Sequence, residues 1–148
     1  MICTMSTNYL IDALGGRKVV ANEPATASEW AHRIESGLPA ASAVAFKQSL
    51  GLTNAELAAL LGVSARTLAR WNPARSRLDL VSGDRLLRSA RLFAIAVEVL
   101  EDREAAARWM KTPQRALGGA VPLQRAKTDV GAREVEALLG RMEHGVYT

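Results

Sequence analysis

The stretch Asn54-Ala-Glu-Leu57-Ala58-Ala-Leu-Leu61-Gly62-Val63-Ser64-Ala-Arg66-Thr67-Leu68-Ala-Arg70-Trp71 decides how this chain is read. Its spacing is that of two short helices meeting steeply across a tight turn, as in a helix-turn-helix. Leu57, Leu61, Val63, Leu68 and Trp71 fall where such a pair needs apolar side chains turned inward. Ala58 stands at the crossing, where a larger residue would push the helices apart. Gly62 stands at the turn, where a backbone with φ above zero is cheap only for glycine. Ser64 is placed to cap the second helix by accepting a hydrogen bond from its first free N–H groups. A plain helical bundle would use the same junction, so the motif needs a second argument.

Charge supplies it. From Ser64 to Arg91 the chain carries Arg66, Arg70, Arg75, Arg77, Arg85, Arg88 and Arg91 against only Asp79 and Asp84, a net +5. The whole chain is +4, so the remainder sums to −1. Positive charge is therefore concentrated on and just after the second helix, as a polyanion-binding face requires. Ser64, Arg66, Thr67 and Arg70 are the side chains expected to reach DNA from that helix. Arg66 suits a bidentate pair with guanine, and Thr67 a phosphate or a thymine methyl. Arg75 and Arg77 are expected to hold the phosphate backbone.

The rest of the chain reads as all-α. Hydrophobic residues are 49% of its 148 residues and aromatics 5%, so the core must be built mainly from Ala, Leu and Val. That composition suits close-packed helices better than a sandwich. Helices are expected over residues 7–14, 26–36 and 41–50, with Trp30, Ala31 and Ile34 on the apolar side of the second. Asn72-Pro73 stops the recognition helix. Ser82 is the expected cap of the longest helix, in which Leu86, Leu87, Ala90, Phe93, Ala94, Val97 and Leu100 recur at three- and four-residue steps. Asp102 should cap a helix ended by Pro113. Gly118-Gly119 marks a turn, Pro122 opens a single helical turn, and Leu123 packs inward. Thr128 should cap a last helix with Val130, Val135, Leu138, Leu139 and Met142 on its apolar side, ended by Gly145. Trp30, Trp71 and Trp109 are expected as core anchors. Two domains are expected: residues 1–79, with the helix-turn-helix at 54–71, and residues 80–148.

The second half resembles a known module. Phe93-Ala-Ile-Ala96, Ala107-Arg-Trp109-Met-Lys-Thr-Pro113 and Leu117-Gly118-Gly119-Ala-Val-Pro122-Leu123 look like the toxin-binding domain of the Xre/MbcA/ParS antitoxin family. The likeness continues through Thr128-Asp-Val-Gly131-Ala-Arg-Glu-Val135-Glu-Ala-Leu138 and Glu143-His-Gly145-Val146, and so runs from about Leu80 to the last residue. It implies a type II antitoxin that silences a RES-domain, NAD-consuming toxin by binding it. It also implies repression of the shared operon through operator DNA, and a homodimer within a larger complex. In that family the C-terminal end lies over or in the toxin's active-site cleft, which here points to Arg141, His144, Gly145, Val146, Tyr147 and Thr148. Read without the resemblance, these last residues are either a frayed end or a plug. Val146 and Tyr147 bring apolar and aromatic surface for a pocket, and the terminal carboxylate suits a site that normally holds phosphates.

Other chemistry finds little support. Glu101, Asp102 and Glu104 sit at a helix junction, where acids favour the following N-terminus. His32 and His144 have no partners at metal-ligand spacing and no nucleophile arranged beside them. Gly15-Gly16-Arg17-Lys18 lacks the pattern of a phosphate loop. No enzyme activity, cofactor or metal is expected. Cys3 alone forms no internal disulfide, no run approaches the roughly 20 apolar residues of a membrane span, and no secretory signal opens the chain. A cytoplasmic protein without membrane contact is expected. Two further readings stay open at this level: a stand-alone helix-turn-helix regulator whose second half only dimerises or senses a ligand, and an adaptor that has lost DNA affinity.

Overall fold

Helix limits in the computed structural model follow local caps. The structure describes residues 4–20 and 26–145, with only the backbone given for residues 4–6. Helix α1 spans Thr4–Ala13 and ends before Gly15 and Gly16, both at positive φ. Helix α2 spans Ala27–Ser36. Thr26 Oγ1 accepts from Glu29 N at 3.2 Å while Glu29 Oε2 accepts from Thr26 N at 3.1 Å, a reciprocal capping box. Helix α3 spans Ala40–Leu50, and α4, Asn54–Leu61, starts with a second capping box made by Thr53 and Glu56. After α5, Ala65–Arg70, come the long α6, Leu80–Leu100, and α7, Arg103–Lys111. A 3-10 turn at Arg115–Leu117, a one-turn α8 at Pro122–Arg125 and α9 at Asp129–Glu143 complete the order.

No strand is present among the described residues. One isolated antiparallel bridge joins Pro39 and Arg77. Around it Ala40 N donates to Ser76 O at 2.9 Å and Leu78 N to Leu38 O at 2.8 Å. The link after α5 is thereby tied to the connection between α2 and α3.

The chain forms two compact units, Ile11–Leu87 and Arg88–Thr148 with Met1–Leu10. Their border falls inside α6, whereas the border expected from the linker stood at residues 79 and 80. Within the first unit the opening of α6 serves the helix-turn-helix: Ser82 Oγ lies 3.5 Å from Leu61 O. The core of this unit contains Ile34, Leu38, Phe46, Leu50, Leu57, Leu61, Leu78 and Leu86. That of the second contains Leu92, Phe93, Val97, Met110, Leu117, Leu123, Val135, Leu138 and Leu139. Each fully buried Leu or Phe contributes about 1.5–3 kcal/mol by leaving water.

Several expectations need correcting. Ser82 does not cap α6. The helix starts two residues earlier, Asp79 Oδ1 accepts the Ser82 N–H at 2.7 Å, and Ser82 itself is buried. A carboxylate three residues upstream is the stronger acceptor and complements the positive end of the helix. Val130 does not join the apolar side of α9: it is 79% exposed. Five residues at 3.6 per turn put it roughly 140° around the helix from Val135. Trp30, Trp71 and Trp109 are only half-buried, and the fully buried aromatics among the described residues are Phe46 and Phe93. Indoles are large and carry a polar N–H, so they seldom bury completely. Ala31 is exposed, and Leu100 and Met142 are half-buried.

Candidate nucleic-acid interface and partner-facing surfaces

Gly62 adopts the left-handed conformation with φ +71° and ψ +29°, so the chain reverses between α4 and α5 without Cβ strain. Val63 N donates to Ala58 O at 3.0 Å across this turn. Ala58, Leu57 and Leu61 are buried beneath it, while Val63, Leu68 and Trp71 are half-buried. Ser64 caps α5 as expected: its Oγ accepts from Thr67 N at 3.0 Å and donates to Thr67 Oγ1 at 3.0 Å. That hydroxyl is thus committed to the helix, and Thr67 keeps its own O–H to donate outward.

No residue of α5 is buried, and Arg66 and Arg70 stand one turn apart on it, both exposed. Arg75 lies in the following turn, where Asn72 Oδ1 accepts from Ala74 N at 3.0 Å. Arg77 is exposed, but its Nη1 donates to Gly37 O at 2.8 Å, so it also fastens the link. The remaining arginines of the cationic window are turned to other uses. Arg85 is half-buried, with its guanidinium against Gly62. Arg88 Nη1 donates to Lys127 O at 3.1 Å. Arg91 is half-buried in the second unit. The exposed basic set is therefore Arg66, Arg70, Arg75 and Arg77, narrower than the sequence window implied.

At the other end of the chain, α9 closes with His144 as its C-cap, whose N–H is directed to Gly140 O at 3.2 Å. Gly145 follows at φ +74°. His144 and Gly145 are exposed. Arg141 is half-buried, and its Nε is sealed without a hydrogen-bond partner among the described residues. Val146, Tyr147 and Thr148, expected to enter a partner's pocket, lie outside the described residues.

Sequence reasoning missed a cleft of about 280 Å3 between α6 and α9. Arg88, Arg91, Leu92 and Ile95 form one wall, facing Asp129, Arg133 and Glu136. Each wall is a stripe at three- and four-residue steps. That pattern was visible in the sequence, but it carries mixed charge and so escaped a search for apolar faces. No helix among the described residues is long and apolar enough to cross a membrane.

Comparison with known proteins covers both units. The helix-turn-helix domain of Xre-like antitoxins matches residues 29–91. The C-terminal toxin-binding domain of Xre/MbcA/ParS antitoxins matches residues 96–145. A relative named antitoxin Xre from Yersinia enterocolitica is 34% identical over 98 residues, spanning 66% of this chain and 66% of the relative. Another antitoxin Xre, from Photorhabdus laumondii, is 32% identical over 90 residues, spanning 60% of this chain and 61% of that protein. The chain thus spans just under two thirds of the length of these relatives. A chain in the crystal structure of the M. tuberculosis MbcT-MbcA toxin-antitoxin complex superposes with a TM-score of 0.56 at 28% identity. That match covers 74% of this chain and 96% of the other.

Proposed function

Because this chain belongs to the Xre/MbcA/ParS antitoxin family, we propose that it is the antitoxin of a type II toxin–antitoxin pair. It neutralises a RES-domain, NAD-consuming toxin by direct binding, and as a homodimer it represses its own operon. One observation carries the reading: an Xre-like helix-turn-helix and a toxin-binding domain follow each other along one chain. The MbcT-MbcA likeness supports it, since that structure is of a toxin–antitoxin complex.

In this reading α5 enters the major groove. Arg66 reads a base edge, Arg70 and Thr67 flank it, and Ser64 holds the helix start. Arg75 and Arg77 sit on phosphates. Arg66→Ala is expected to cost about 1–3 kcal/mol of specific binding in a gel-shift titration. Arg75→Ala is expected to weaken all sequences alike and to lower the salt slope by about 1. If Arg66→Ala left operator affinity unchanged, α5 would not be the reading helix.

Toxin neutralisation is assigned to Arg141, His144, Gly145, Val146, Tyr147 and Thr148. Helix α9 closes at Glu143 with His144 as its C-cap, Gly145 follows at φ +74°, and the residues after it are assigned the role of plugging the toxin's site. The toxin encoded beside this chain's gene, expressed alone, should stop growth, and co-expression of this protein should restore it. Deleting residues 145–148 should abolish that rescue while leaving DNA binding intact. Rescue that survives the deletion would remove the plug, and a neighbour that neither stops growth nor binds would remove the antitoxin reading.

A further inference from the structure

The cleft between α6 and α9 lies wholly within the second unit and belongs neither to the DNA-facing arginines nor to the tail. Its chemistry is specific. Arg91 lines it with an Nε that is sealed from solvent and has no hydrogen-bond partner among the described residues. A desolvated, unpaired donor is a standing cost, and no hydrogen bond or ion pair among the described residues holds the rest of this guanidinium, so its outer N–H groups are the ones an incoming acceptor meets. On the facing wall Arg133 Nε is held by Asp129 Oδ2 at 2.9 Å, which cancels that pair. The lining thus carries Arg88, Arg91 and Arg133 against Asp129 and Glu136, a formal excess of one positive charge. Leu92 and Ile95 give the α6 wall apolar surface beside Arg91. Val130, the most exposed large hydrophobic residue described, comes directly after Asp129 and one turn before Arg133.

We propose that this cleft is a second docking site for the toxin, receiving an Asp or Glu side chain onto Arg91, with Val130 packing against an apolar residue beside it. The inference rests on the antitoxin reading above and adds a contact through Arg91 and Val130, residues outside the tail. A carboxylate on a protein fits better than a free anion. Its methylenes can lie along Ile95, and only a protein surface covers Val130 as well. The positive cleft also draws an acidic surface toward it and fixes its register.

The test titrates the full-length protein against the toxin encoded beside its gene, with Arg91→Met, Glu136→Gln and Val130→Glu compared with the parent. Arg91→Met keeps an aliphatic stem and removes the charge, and should weaken the complex about tenfold or more. Glu136→Gln removes the lining carboxylate that is not tied to Arg133 and should tighten it by about two- to fivefold. Val130→Glu, at an open position where folding is not at risk, should weaken it and keeps the test decisive if Arg91→Met unfolds. All three should retain the parent's operator affinity. Unchanged toxin binding by Arg91→Met or Val130→Glu, or weakening by Glu136→Gln, overturns the site. Loss of operator affinity in Arg91→Met, with toxin binding intact, also overturns it by making the cleft a phosphate contact. If the parent protein itself fails to bind the toxin, the antitoxin reading falls first and this site falls with it.

Discussion

Gly131→Ala is expected to destabilise the second unit by about 3 kcal/mol or more, the largest loss from any one-carbon change in this chain. Gly131 lies in the first turn of α9, a short link after α8 ends at Arg125. A Cβ there would overlap the backbone carbonyl oxygen of Arg125 and sit 3.0 Å from Thr128 Oγ1. The obstacle is backbone, so no side chain can swing aside. Alanine's better helix propensity returns at most about 1 kcal/mol, which the overlap exceeds. Separating α8 from α9 would also disturb the cap in which Thr128 Oγ1 accepts from Gly131 N at 3.0 Å, worth about another 1 kcal/mol. Gly140→Ala is the control, because nothing lies within 4 Å of its Cβ. It should leave stability unchanged or raise it by up to about 1 kcal/mol. Urea unfolding followed by circular dichroism compares the two, and equal midpoints would show that α8 and α9 are not in such close approach.

Gly62→Val should have the second largest effect, and its readout is functional as well as thermodynamic. A β-branched residue at φ +71° carries a backbone penalty of about 1–3 kcal/mol. Its Cβ would also overlap the Arg85 guanidinium. Here the obstacle is the end of a flexible side chain, so the overlap can be relieved while the backbone term cannot. The double substitution Gly62→Val with Arg85→Ala should therefore recover only part of the lost stability. Because α5 has no buried residue of its own, the turn at Gly62 and the Ser64 cap set its direction. Gly62→Val is thus expected to lower operator affinity at least as far as Arg66→Ala, about tenfold or more. Parent-like affinity in a gel-shift titration would mean that the α4–α5 turn does not aim the recognition helix.

Much of the site was legible because the interactions that build it are local. The caps by Ser64, Asp102 and Thr128 each join residues three apart, so sequence spacing alone locates them. The left-handed turns at Gly62, Gly118 and Gly119 follow from the one residue type that adopts them freely. Charge counting was less reliable. It summed seven arginines as one surface, although Arg85 and Arg91 are half-buried and Arg88 is spent on a backbone carbonyl. Charge in a sequence window says nothing about which side of a helix each residue takes.

Residue order by itself determined the helices, the caps at Ser64, Asp102 and Thr128, the crossing at Ala58 and the exposed pair Arg66 and Arg70, since neighbours within about one helical turn decide all of these. Only the tertiary structure decided that Arg77 fastens to Gly37, that Arg88 reaches Lys127, and that Ser82 turns toward Leu61 instead of capping α6. Those partners lie 40, 39 and 21 residues apart. Interactions across such separations depend on how helices pack, which local preference does not encode. The cleft around Arg91, with Val130 exposed near it, belongs to the same class, because it exists only once α6 and α9 lie side by side.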